Sequence, residues 1–169
     1  AAHGATRTGR VFTGDKSSEF LYKCMFNAKI SNISTSEHIN DGLKLNRAFI
    51  TTALKCVPPE DKPNKDELNN CFNFFEQELN MLKNLKVIIA LGKIAFDACI
   101  EFYKNNYDLR DKFKFVHGKN YKLPNKILLV GCYHPSPRNV NTGRINEKTM
   151  TSLFKKIRKL IDLKKNEPK

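Results

Sequence analysis

Apolar residues in this chain follow two patterns, a stripe recurring every three to four residues and short unbroken runs. Phe20, Leu21, Cys24 and Met25 stand at helical spacing and predict a short helix over residues 17–28. Leu68, Phe72, Phe75, Leu79 and Leu82 form a longer stripe and predict an amphipathic helix over 66–83, after a turn at Pro63 and Asn64. Val87–Leu91 is a continuous apolar run stopped by Gly92, the pattern of a parallel strand covered on both faces. Residues 94–103 then read as a crossover helix. Residues 48–54, β-branched and aromatic, predict a buried strand that Cys56-Val57-Pro58-Pro59 ends. Residues 113–117 predict a short strand and 127–130 another core strand. Met150, Leu153, Phe154, Ile157, Leu160 and Ile161 make the stripe of a last helix, and the polar stretch 31–41 reads as a loop. Strands alternating with helices predict an α/β fold, a three-layer α/β/α arrangement around a central, mostly parallel sheet, with residues 1–169 as a single domain.

Charge adds a partner class. The 169 residues carry 30 Lys and Arg against 17 Asp and Glu, a formal charge of +13, which favours a polyanion such as nucleic acid. Lys155, Lys156, Arg158 and Lys159 on the last helix fit either a solvated face or a DNA contact. No apolar run approaches the ~20 residues of a membrane span, and residues 1–10 have no apolar signal-peptide core. Five cysteines without the spacing of a secreted framework point to a reducing cytoplasm.

Two polar segments carry the candidate chemistry. After the 127–130 strand comes Tyr133-His134-Pro135-Ser136-Pro137-Arg138-Asn139-Val140-Asn141-Thr142-Gly143-Arg144. Here a histidine leaves a strand end into a proline-stiffened loop at the sheet edge where α/β proteins bind ligands. Its arginines and short polar groups suit phosphate and sugar, and a stiff surface turn is the plainer alternative. The chain opens with residues 1–15, rich in Gly, Thr and Arg, with one aromatic, Phe12, and one carboxylate, Asp15. From spacing alone Asp15 is an N-cap for the helix that follows.

These two segments, with Cys56-Val57-Pro58-Pro59, Cys71 and Ala90-Leu91-Gly92-Lys93-Ile94-Ala95-Phe96, resemble the uracil-DNA glycosylase superfamily. The similarity runs from Ala1 to about Leu163 and is strongest to the family-five, iron–sulfur branch of bacteria and archaea. It implies a monofunctional DNA repair glycosylase that removes uracil, or other deaminated bases, and leaves an abasic site. A family-four uracil-specific enzyme and a non-catalytic basic DNA-binding remnant are the alternatives, and an iron–sulfur interaction module is a third.

The resemblance also implies roles. Asp15 would stabilise the sugar cation and orient water, and His134 would donate to the departing base. Phe12 would stack on that base, with His3 and Thr52 also at the base pocket. Residues 133–144 would be the DNA-facing loop, with Ser136, Arg138, Asn139 and Arg144 on the minor groove and phosphates, and residues 1–15 the active-site loop. Thr52 stands where family-four enzymes carry an asparagine, and it lacks the paired donor and acceptor of an amide. A broader base range is therefore expected. Asp61 stands where the family pattern has asparagine. Cys56 and Cys71 would be two of four thiolate ligands of a 4Fe–4S cluster. The resemblance implies a chain shortened at its N-terminus, without the first strand and the other two cysteines. A cluster is then expected in the full-length protein, and none or an unstable one in this chain. DNA is the expected partner, and a monomer the expected state.

Overall fold

The structure, a computed structural model, describes residues 3–165, without the side chains of His3, Asp61 and residues 163–165. In chain order its elements are α1 (His3–Thr8), α2 (Lys16–Asn27), α3 (Lys65–Met81), β1 (Val87–Leu91), α4 (Lys93–Asn106), β2 (Asn120–Lys122), β3 (Leu128–Cys132), α5 (Pro137–Asn141) and α6 (Glu147–Lys165). Two compact units form, one from residues up to Thr51 and from Pro135 onward, the other from Thr52–His134. Among the described residues, no helix is long and apolar enough to cross a membrane.

The Thr52–His134 unit is the α/β part. Its sheet has the order β1–β3–β2. β1 and β3 run parallel, with Val87 opposite Leu128 and Leu91 opposite Cys132. β2 pairs antiparallel with β3. The central strand β3 holds Leu129 and Val130 at 0% exposure, whereas edge strand β1 buries only Ala90. Phe96, Cys99, Ile100 and Tyr103 of α4 pack with Phe75 and Leu79 of α3 into one core. Asn64 and Glu67 form a reciprocal capping box that starts α3.

The other unit is built on α2 against α6. Leu21, Tyr22, Cys24 and Met25 are buried, as are Met150, Phe154 and Ile157, spaced by one and two turns. The Glu147 side chain accepts from Asn27 at 3.0 Å and pairs with Lys23 at 2.8 Å, tying the first turn of α6 to α2.

Two predicted strands are not formed. Residues 48–54 are irregular, with Phe49 58% exposed and only Leu54 buried. Strand preference expresses itself through a neighbouring strand, and no strand among the described residues pairs with this stretch. Residues 113–117 also stay outside the ladder, which begins three residues later at Asn120. Phe113 and Phe115 still pack inward, edge-on to Tyr121 and Phe96 respectively. Their backbone instead crosses β3 at Gly131, where an added β-carbon would lie 2.5 Å from the Val116 carbonyl oxygen. Residues 1–15 and 133–144, read as loops, contain the short helices α1 and α5.

This crossing gives a test. Gly131→Ala sets a methyl group against backbone that cannot swing away, and overpacking of this kind costs about 1–3 kcal/mol. The urea midpoint should fall while the m-value stays constant; an unchanged midpoint would mean that the crossing is looser than described.

Candidate active site

The 3–15 segment is shaped by a close approach and a polar network. Gly4 is buried, and a β-carbon there would collide with the Thr13 carbonyl oxygen and lie 2.9 Å from Oδ2 of Asp15. α1 can therefore lie against residues 13–15 only because position 4 has no side chain. Arg7 donates to the Gly14 carbonyl at 2.8 Å. Gly14, at φ 72, donates its own N–H to Ser36 O at 2.8 Å.

Thr13 is fully buried, and its hydroxyl meets that of Ser36 at 2.7 Å. Arg10 reaches both, donating Nε to Thr13 Oγ1 at 3.0 Å and one terminal nitrogen to Ser36 Oγ at 2.8 Å. The same guanidinium grips Asp41 bidentately at 3.0 and 2.5 Å. Asp41 also accepts backbone N–H groups of Glu37 at 2.9 Å and Leu43 at 3.0 Å. The Arg10 hydrogen bonds, offset in part by burial and aided by the backbone donors, hold the Asp41 carboxyl far below the usual carboxylate range.

Two predicted site residues ride on this frame. Phe12 sits at φ 50, a left-handed conformation that a bulky side chain rarely adopts. Asp15 caps α2: its Oδ1 accepts from Ser18 N at 2.8 Å, and its own N–H donates to Ser18 Oγ at 3.1 Å. Oδ2 takes no part in that cap. His3 contributes backbone to α1, and its side chain lies outside the described residues.

On the 136–144 stretch, Ser136 caps α5 by accepting from Asn139 N at 3.4 Å, with Pro137 in the first turn. The Thr142 hydroxyl donates to Arg138 O at 2.7 Å, and Gly143 at φ 69 turns the chain. Arg138 and Arg144 are exposed.

In the other unit, His134 stands at the C-terminal edge of the parallel pair. Gly92 N donates to Cys132 O at 2.7 Å, and a β-carbon on Gly92 would lie 3.5 Å from that of His134. Its neighbour Tyr133 is held by a residue that sequence reading passed over. The His117 ring stacks on Tyr133 with centroids 4.9 Å apart and planes 6° from parallel. Its Nδ1 accepts the Tyr133 N–H at 3.0 Å, so a neutral His117 carries its proton on Nε2. Burial favours that neutral form by lowering its pKa. A lone histidine gives no sequence signal for such a contact.

Thr52 lies half-buried in irregular chain, Cys56 is exposed and Cys71 is half-buried on α3. Cys71 Sγ accepts the Lys55 N–H at 3.4 Å, which brings its sulfur beside the residue preceding Cys56. Among the described residues, no group of three or more His, Cys, Asp or Glu is placed to hold a metal. Burial raises the Cys24 and Cys99 thiols, Cys99 to about 12, and marks them as packing residues.

Comparison with known proteins gives the family. Residues 1–158 match the family model described as the Uracil DNA glycosylase superfamily. A type-5 uracil-DNA glycosylase of Thermus thermophilus is 37% identical over 163 residues, 96% of this chain and 72% of that protein. A type-5 enzyme of Pyrobaculum aerophilum is 35% identical over 156 residues, 92% of this chain and 66% of its own length. A type-4 uracil-DNA glycosylase of Sulfurisphaera tokodaii is 30% identical over 125 residues, 70% of this chain and 53% of its own.

The depressed Asp41 pKa sets a direction for pH dependence. A carboxyl whose pKa is lower folded than unfolded adds stability above its unfolded value, about 3.9, and that stability is lost as pH falls below it. Asp41→Asn should lower stability at neutral pH by about 1.5–3 kcal/mol, the range for losing hydrogen bonds to a charged group. It should also flatten the acid limb of a melting-temperature profile below about pH 4. A variant with the parental profile would show that the pair does not hold the segment.

Proposed function

The chain belongs to the uracil DNA glycosylase superfamily, in its family-five branch, and we propose that it hydrolyses the N-glycosidic bond of uracil in DNA to leave an abasic site. The reading is carried by the division of the Asp15 carboxylate: one oxygen is fixed by the α2 cap and the other is outside it. A carboxylate held in one orientation suits a reaction through an oxocarbenium-like sugar, where it stabilises the cation and orients the attacking water. His134, at the strand-end position, donates to the oxygen of the base as negative charge develops there.

Removal of the base requires its extrusion from the stack, which costs a few kcal/mol. Phe12 recovers part of this by stacking, at about 1–3 kcal/mol per base. Its left-handed backbone is strain of the kind kept where a side chain must be aimed. Ser136, Arg138, Asn139 and Arg144 hold the flanking backbone, with the exposed arginines on phosphates. Thr52, with a hydroxyl in place of an amide, favours a base range wider than uracil. His3 is a further candidate for contact with the base in this reading. His117 acts as a positioning residue, fixing the peptide that leads into His134.

The proposal includes a 4Fe–4S cluster. Cys56 and Cys71 fit two of its four thiolate positions: one is exposed, and the other already accepts a backbone N–H of the kind that stabilises cluster sulfur. When bound, the cluster would supply cross-linking of the 52–71 segment. Base removal itself rests on Asp15 and His134.

Release of uracil from a labelled oligonucleotide, read as alkali-cleavable abasic sites under single turnover, tests the reading. The parent should release uracil, and His134→Ala should raise the barrier by about 2.7–4 kcal/mol. The loss should be smaller on 5-fluorouracil, whose anion needs less stabilisation. Equal losses on both bases would make His134 structural, and no release by the parent would overturn the proposal.

A further inference from the structure

The C-terminal end of α2 closes in a Schellman turn, with Lys29 N donating to Phe26 O at 2.8 Å and Ile30 N to Met25 O at 2.8 Å. The turn forces residue 29 to φ 58, a place glycine usually takes, yet it holds a lysine. Arg158 of α6 donates to the Ala28 carbonyl at 3.2 Å. Around this helix end lies a pocket of about 430 Å³ whose lining includes Lys29, Lys155, Arg158, Lys159 and Asp162.

Four cations thus share one carboxylate. Asp162 is itself engaged by Arg47 at 2.8 Å and approached by Arg158 at 4.0 Å. The negative end of a helix dipole accounts for cations beside it, and Lys29 and Arg158 fill that role. Lys155 and Lys159 are left, exposed and one turn apart on α6, a spacing at which like charges oppose the helix. A ligand with its own negative charges would reverse that penalty.

We propose that this pocket is a second contact for the phosphodiester backbone of DNA, remote from the nucleotide being cleaved. The proposal rests on the DNA substrate assigned above. α2 separates the two places: Asp15 caps its start and the pocket surrounds its end, 12 residues on. At 1.5 Å per residue that is about 18 Å, or about five phosphates along one strand at 3.4 Å each. With α2 running along the duplex, the contact falls on flanking base pairs. It also gives the +13 chain a defined place to hold DNA without a lesion.

The test compares salt dependence of binding for the parent and the variant Lys29→Asn/Lys155→Gln/Lys159→Gln, on undamaged and uracil-containing DNA. Asparagine tolerates the left-handed turn, and the double variant Lys155→Gln/Lys159→Gln leaves that turn untouched. On a duplex of about 30 base pairs, the slope of log K against log [salt] should shrink by about 0.9 per lost contact. That is about 2.7 for the triple variant and about 1.8 for the double. On a short hairpin with about three base pairs either side of the uracil, parent and variants should coincide. Uracil release at saturating protein should be unchanged.

Parental slopes in both variants on the long duplex would overturn the proposal. So would equal losses on the short hairpin, which would place these lysines at the lesion. A parent that binds DNA with the expected slopes but releases no uracil would sink the glycosylase reading and leave this contact standing.

Discussion

The hydroxyl pair of Thr13 and Ser36, bridged by Arg10 to Asp41, sets the geometry on which the rest of the first segment depends. Buried hydroxyls and charges are costly unless every partner is in place, so this network admits one arrangement of residues 10–14. That arrangement places Phe12 in a left-handed conformation, at a cost of about 1–2 kcal/mol. It also turns the chain at Gly14 and delivers Asp15 to the first turn of α2. The absence of a side chain at Gly4 lets α1 close against the same stretch. Side chains on a segment this short gain their precision from the bonds beneath them.

The sequence made the helices legible because their apolar stripes find a packed surface. α2, α3 and strand β1 fall within two residues of their expected bounds, and α6 contains the whole 150–161 stripe. The failures share a cause. Residues 48–54 and 113–117 have strand-like composition, but a strand is defined by a neighbour that composition does not reveal. α1 has no apolar stripe, and its place comes from the Gly4 approach, a contact with residues nine or more positions later. The Asp15 cap could be read from the Asp-x-x-Ser spacing. The Arg10–Asp41 grip spans 31 positions and could not. His117 and the convergence of Lys29 with α6 were hidden for the same reason.

The positive charge is divided between separate tasks. Arg7 and Arg10 of the opening motif are spent on its own backbone and on Asp41. Arg138 and Arg144 stay exposed on the α5 turn. The cations at the far end of α2 form a third group. A formal charge of +13 is therefore a sum of structural, local and remote contributions, and only the exposed ones are available to a polyanion.

The central claim is that Asp15 does two things at once, holding α2 with one oxygen and serving the sugar with the other. Asp15→Asn separates them, because asparagine caps a helix about as well as aspartate but carries no charge. The decisive measurement is single-turnover uracil release by this variant, alongside its melting temperature and DNA affinity. The account predicts parental melting and binding with release slowed by several orders of magnitude. Release at the parental rate would contradict it and leave Asp15 as a helix cap alone.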